Sequence, residues 1–452
     1  MAIKGGMVDA APLITLRRFF AALVLLSTLR FIANGWVVDQ IIAPAFTFPF
    51  DGFEWLPRPS RWGAAWLFGG MLLGGLGIAW SQTQRIGSAL FFLCFTYVEL
   101  LDKSNYLNHY YFVSLMALLL VFIPARNPSV ARHSILVVRG LICIVYFYAG
   151  LAKLNADWML HAQPLAIWLP QHSSFPIIGP MFSWRETAFA FSWMGAAFDL
   201  IAPFALLSNR LRPWFYPVLV AFHVLTWLLF PIGVFPWVMI VCAAVFFHDD
   251  WHHRFWRAWG IKQLELSSPK PALSASTAST SQRKAIGKIT VGGFLAFQLL
   301  FPLRHLNYDG SVFWHEAGYR WSWRVMLMEK SGWATLFVVD QNGREQPVSS
   351  EEWLTSNQIK MMSTQPDMLV QFAGHIKEQW RHNHGQDVKV RAETWVSLNG
   401  RRSQLFIDPF ADLASISNDW NERSFVLPLD SIIRPKQFHL IKDSLRHAKG
   451  WN

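Results

Sequence analysis

Leu101-Asp102-Lys103-Ser104-Asn105-Tyr106-Leu107-Asn108-His109-Tyr110-Tyr111 sets an Asp, a Lys, two Asn and a His between two apolar runs, 87–101 and 110–124. Both runs read as membrane spans. An ionisable group at membrane depth costs about 2.5–3.5 kcal/mol on insertion scales, so such groups usually mark a functional site. A second polar stretch, Tyr146-Phe147-Tyr148-Ala149-Gly150-Leu151-Ala152-Lys153-Leu154-Asn155-Ala156-Asp157-Trp158, closes a later apolar run.

The composition agrees with a membrane protein. Of 452 residues, 53% are hydrophobic and 15% charged, against about 25% charged in an ordinary soluble domain. The 24 Trp suit membrane–water boundaries. The net charge of +11 fits Lys and Arg collecting on the cytoplasmic side, and no basic cluster carries a nucleic-acid-binding motif. Cys94, Cys143 and Cys242 lie in apolar runs and read as small buried hydrophobes, with neither disulfide nor metal spacing. Lys4, Arg17 and Arg18 precede an apolar run that lacks a clear cleavage site, which predicts an uncleaved first span.

Apolar runs near 14–36, 62–80, 87–101, 110–124, 134–152, 188–208, 214–230, 232–247 and 286–304 predict an α-helical bundle of about 8–9 transmembrane helices. The Lys and Arg bias puts the N-terminus in the cytoplasm and the region after about 305 on the outer, periplasmic or lumenal, face. Residues 1–304 then form the membrane domain. The Ser/Thr/Pro-rich run 266–282, within about 262–285, is expected to be a flexible cytoplasmic linker. Residues 305–452 read as an extramembrane α+β domain. Trp333–Val339 and 388–396 are predicted strands, 366–382 a helix, and Asn399-Gly400 a hairpin turn returning along Ser403–Ile407.

This topology brings His109 and Lys153 to the same membrane face. Each has a bland reading. Lys153 could be an interfacial lysine extending its ammonium to water, or an amine kept available as a base by partial burial. In the first case Asp157, one turn on, would stabilise the charge. His109 could be a hydrogen-bonded structural residue or, beside Asn105, Asn108 and Tyr110, a donor to a substrate oxygen. His223, inside a span, needs a partner, either another helix or a ligand. Asp199, also in a span, has Arg30 as its candidate partner. His248, His252 and His253 read as a solvated cytoplasmic loop, and no set of histidines has metal-ligand spacing. Walker, Rossmann, nucleophile-elbow and zinc signatures are missing from credible positions.

Asp102-Lys103 through Asn108-His109-Tyr110-Tyr111 resembles the Asp-Lys…Asn-His-Tyr signature of the vitamin K-dependent gamma-carboxylase family. Ala149-Gly150-Leu151-Ala152-Lys153-Leu154-Asn155-Ala156-Asp157-Trp158 resembles its second signature, and Phe222-His223 with Ile232-Gly233-Val234-Phe235 a third. In the tail, Trp321-Ser322-Trp323-Arg324-Val325-Met326, Trp395-Val396-Ser397-Leu398-Asn399 and Phe406-Ile407-Asp408-Pro409 are similar to family segments. The ordered set runs from about 14 to 430.

The resemblance implies an enzyme that uses vitamin K hydroquinone, dioxygen and carbon dioxide. A lysine base deprotonates the hydroquinone, which reacts with dioxygen. A strongly basic species then takes a γ-proton from a peptide glutamate, and the carbanion captures carbon dioxide. Lys153 matches the base and His109 a histidine near the quinone oxygen. Asn105, Asn108, Tyr110, Asp157, Trp158, His223 and Phe235 are the expected quinone- and substrate-binding residues. Implied partners are the bilayer, a membrane quinone and a glutamate-containing peptide. Two departures stand out: Ala152 replaces a second lysine of the animal enzymes, and no cysteine follows Cys242. The absent disulfide, with a length compact beside the animal enzymes, suggests a bacterial inner-membrane homologue of the horizontally transferred transmembrane domain type. The departures also keep open epoxidation without carboxylation, or a quinone- or lipid-binding scaffold without catalysis. A transporter would need internal repeats, which are not evident.

Overall fold

The computed structural model describes residues 7–123, 128–261, 277–416 and 424–430. It is mostly helical, with strands concentrated in the C-terminal region. Each of the nine apolar runs carries a helix. Six are long and apolar enough to cross a membrane: Ala11–Ala33, Arg61–Ala79, Gln84–Leu101, Arg132–Lys153, Arg185–Leu207 and Ala285–Asn307. Asn108–Phe122 and Phe235–Phe246 are shorter apolar helices. Both are too short to span about 30 Å of hydrocarbon upright at 1.5 Å per residue, so an apolar run is not by itself a span. The eighth of the nine helices, Phe235–Ala243, starts after a break at Pro231. Trp62, Trp66, Trp214 and Leu73 are exposed on the outside of the bundle, as lipid-facing side chains must be.

Two close approaches set the geometry that matters later. At Gly87 an added Cβ would sit 2.5 Å from the Gly77 backbone, so helices Arg61–Ala79 and Gln84–Leu101 meet backbone to backbone. Small residues at such crossings replace the hydrophobic drive that lipid removes. At Gly150 an added Cβ would come within 2.9 Å of the Leu200 nitrogen. That contact draws Arg132–Lys153 against Arg185–Leu207 and brings position 153 beside position 199.

Strands β1 (Met7–Asp9) and β2 (Ser129–Ala131) make a small antiparallel pair. The tail sheet, of order β4-β3-β5-β6, is antiparallel throughout. Its strands are β3 (Lys330–Val339), β4 (Glu345–Pro347), β5 (Lys389–Leu398) and β6 (Gln404–Leu405). β5 alternates buried Val390, Ala392, Thr394, Val396 and Leu398 with more open residues, the pattern of a sheet packed on one face. Asn399 and Gly400 both take positive φ, 50° and 76°, at the turn where the sequence places it. Helix Pro366–His384 covers the sheet and ends on Gly385 in the left-handed region.

The tail is tied to the bundle. Lys103, 1% exposed, bonds Asp51 at 2.8 Å and lies 3.3 Å from Asp367, which Arg320 also holds. Gln358 donates to Asp102 at 2.7 Å. Trp323 joins the core of the bundle, while Trp158 and Phe182 share a core with the tail strands.

Two expectations need correction. The run 266–282 is not wholly a linker: residues up to 276 lie outside the described ones, but helix begins at Thr277. Once nucleated, a helix adds one hydrogen bond per residue, so the apolar segment extends back into the Ser/Thr run. Of His248, His252 and His253, read as a solvated loop, His248 is an exposed cap but the other two are not in a loop. Helix Asp249–Ala258 packs on the first helix, with His252 fully buried against Thr15 at 3.0 Å and His253 3.1 Å from Asp9. The helical spacing of Trp251, Phe255 and Trp259 with Trp256 was the overlooked signal.

Candidate active site

Arg132–Lys153 ends where Asn155 takes over as the cap of the short helix Ala156–His161, accepting from the Trp158 amide at 3.0 Å. The turn leaves Lys153 buried and swings Trp158 over it, with Nζ 5.2 Å from the ring centroid. Nζ donates to Asp199 at 2.7 Å and to the Ala149 carbonyl at 3.2 Å. Lys153 is therefore neither a surface lysine nor alone. Asp199 pairs with Lys153 rather than Arg30, which instead lies 5.1 Å from the Trp36 ring. Helical phase explains this, because the Gly150 contact turns residue 199 toward helix Arg132–Lys153.

Lys153 and Asp199 line a cavity of about 110 Å3 together with Tyr146, His223, Phe230 and Met326. His223 Nε2 lies 2.7 Å from the Tyr146 hydroxyl, an interhelical hydrogen bond that satisfies both buried groups. Trp158 donates to the Ser192 carbonyl at 2.7 Å. The polar groups here are bonded to one another.

Phe235 lines this cavity and also a second one, of about 70 Å3, which holds His109, Asn105 and Tyr110. The His109 ring stacks on Phe235 at 5.2 Å and meets Tyr110 edge-on at 4.7 Å. No hydrogen bond to the His109 ring or the Asn105 side-chain amide is present among the described residues. His109 and Lys153 thus line two cavities that share Phe235 as a wall.

Asn108 does other work. It accepts from the Tyr106 hydroxyl at 2.9 Å and donates to the Arg324 carbonyl at 2.7 Å, while the Trp321 amide donates to Tyr106 at 2.6 Å. Trp321, Trp323 and Met326 all have φ of 56–58°, which is uncommon outside glycine and clusters at functional sites. The bent segment presses Trp323 onto Tyr111, with centroids 5.1 Å apart. Asn108 fastens this tail segment to the start of helix Asn108–Phe122.

Asp157 does not reach Lys153. Arg401 grips both its oxygens at 2.6 and 2.7 Å, and Asn399 donates at 2.7 Å. Burial pushes this carboxyl up, but the bonds from Arg401 and Asn399 outweigh it and hold it below the usual carboxylate range. It lines an open cleft of about 1070 Å3, with Tyr148, Arg324 and Arg401, between the bundle and the tail.

Glu99 is the residue that sequence reasoning missed. It lines the His109 cavity, and Ser114 donates to its Oε2 at 2.6 Å. It lies within the apolar run 87–101, four residues before Lys103, and a carboxyl inside a predicted span was the available signal.

Residues 6–251 match the HTTM domain family, and residues 283–431 match the vitamin K-dependent gamma-carboxylase lumenal domain. The chain belongs to the vitamin K-dependent gamma-carboxylase family. In this gamma-carboxylase homologue His109, Lys153, Asp199, His223 and Phe235 fall in the first match, and Trp321–Met326 and Asn399 in the second. No solved structure matches the chain.

Proposed function

We propose that this protein oxygenates vitamin K hydroquinone, a membrane-borne co-substrate, to its epoxide and uses that reaction to carboxylate the γ-carbon of a peptide glutamate. The observation that carries the reading is the pair of cavities sharing Phe235, one with Lys153 and the other with His109. A 1,4-dihydroxy ring lying along Phe235 turns one hydroxyl toward each. On the Lys153 side, a proton shift along the 2.7 Å bond to Asp199 leaves a neutral amine and a carboxylic acid. Apolar surroundings favour such an uncharged pair, and the amine then takes the hydroquinone proton. On the other side, His109 binds the second oxygen, with Asn105 and Tyr110 beside it.

The atoms balance. One oxygen of dioxygen enters the epoxide and the other leaves as water. The hydroquinone is oxidised by two electrons beyond the quinone level, and the glutamyl carbanion left by γ-proton removal forms a bond to carbon dioxide. Aromatic walls of Phe222, Phe230, Phe235 and Trp158 keep water from a base it would quench. The cleft along Asp157, Arg324 and Arg401 admits the glutamyl peptide beside the end of the Lys153 helix. In the bilayer we place the N-terminus in the cytoplasm, residues 1–304 as the membrane domain and the tail from 305 on the outer side of a bacterial inner membrane.

The test is a product assay on the full chain in detergent with reduced vitamin K, dioxygen, labelled bicarbonate and a short glutamate peptide. Epoxide with fixed label is expected. Epoxide without label would restrict the function to the oxygenase half. Neither product from folded protein would leave a quinone- or lipid-binding scaffold.

A further inference from the structure

Among the polar atoms around the His109 cavity is a buried carboxylate oxygen without a partner among the described residues. Glu99 Oε2 accepts from Ser114, whose hydroxyl also lies 3.0 Å from the Thr96 hydroxyl. Glu99 Oε1 is buried and has no hydrogen-bond partner among the described residues. A buried unsatisfied oxygen is destabilising, and an apolar residue would avoid the cost. The Thr96–Ser114 relay instead fixes the carboxyl by one oxygen, and Glu99 lines a cavity whose walls include Phe91, Phe95, Val113 and Phe235 beside His109, Asn105 and Tyr110. Such a site awaits a ligand that brings a hydrogen-bond donor into an aromatic slot.

We propose that Glu99 selects the reduced over the oxidised ring: Oε1 accepts the hydrogen bond of the ring hydroxyl that lies on the His109 side. The proposal rests on the functional reading above. With Glu99 ionised, a hydroquinone hydroxyl donates and satisfies Oε1; the neutral acid would itself donate, so the preference belongs to the carboxylate. A quinone carbonyl or an epoxide product offers acceptors alone, so Oε1 stays unsatisfied and faces another lone pair. Discrimination of this kind, by an unpaired buried polar group, is larger than apolar packing achieves. It would admit fresh co-substrate and help expel product, and it leaves Lys153 the chemistry at the opposite hydroxyl.

The experiment is anaerobic titration of the full-length protein in nanodiscs with 2-methyl-1,4-naphthohydroquinone and, separately, 2-methyl-1,4-naphthoquinone. Wild type is expected to bind the hydroquinone about tenfold or more tightly than the quinone, the scale of a hydrogen bond to a carboxylate. In Glu99→Gln the amide carbonyl can accept from Ser114 and turn its NH2 into the cavity, a donor where there was an acceptor. The preference should then vanish or invert. Glu99→Met should also lose it, while melting at or above the wild-type temperature, because a stranded oxygen has been removed. An unchanged preference in both variants overturns the role of Glu99. So does a Glu99→Met protein that melts well below wild type and binds neither form, which is the mark of a structural residue. Wild type that binds neither ring overturns the underlying functional reading itself.

Discussion

The two cavities divided by Phe235 differ in one respect. Around Lys153 the polar groups are paired internally: Nζ with Asp199, and Tyr146 with His223. Around His109 they are left open: the imidazole lacks a hydrogen bond among the described residues, and Glu99 Oε1 has none. A buried pair holds a proton and can relocate it without outside help. A buried orphan is stable only when something else completes it. The difference assigns proton transfer to the Lys153 side and recognition to the His109 side.

The largest effect that probes this contrast is on stability. Asp199→Ala leaves the Lys153 charge buried and unpaired, which should cost about 3–5 kcal/mol, whereas replacing both members, Lys153→Met with Asp199→Leu, should recover most of it. Thermal unfolding of both proteins checks this, and equal stability of single and double variants would mean the pair is not truly buried. His109→Ala should instead leave the melting temperature nearly unchanged and weaken hydroquinone binding by about 10- to 100-fold, since the ring's hydrogen bonds are made with ligand. Titration of the variant decides it. Tyr146→Phe removes the 2.7 Å bond and strands His223, a loss of about 1–3 kcal/mol in unfolding free energy with little effect on binding at the His109 side.

The smallest effect is on the tail clamp. The Asp157 carboxyl is held below its ordinary value, so its contribution is full above about pH 4, the unfolded value, and fades as pH falls through the folded one. The melting temperature of wild type should drop more steeply than that of Asp157→Asn as pH is lowered from about 5 to 3. Parallel curves would show that Arg401 is not holding a charge.

Much of this was legible in the chain. The apolar runs each located a helix, because lipid demands continuous apolar sequence, but they did not reveal Asp249–Ala258, which packs on the first of them. Alternation in 388–396 and the Asn399-Gly400 pair located the hairpin, because both report on backbone geometry within a few residues. Partners were not legible. Asp199 faces Lys153 through a contact at Gly150, a matter of helical phase and packing that the linear order hides. Asp157 lies one turn from Lys153 in sequence but is claimed by Arg401, 244 residues on. Asn108 was expected at a ligand and holds the tail. Glu99 was overlooked because its neighbours are apolar, although that apolar setting is what gives a lone carboxyl its force.

The division of labour between the cavities is tested most directly by Lys153→Ala, assayed on one preparation for hydroquinone binding and for epoxide formation. Binding within about threefold of wild type, with epoxide lost by about 10²- to 10⁴-fold, the range for removing a general base, is the predicted result. Epoxide formation that survives the substitution would contradict the account.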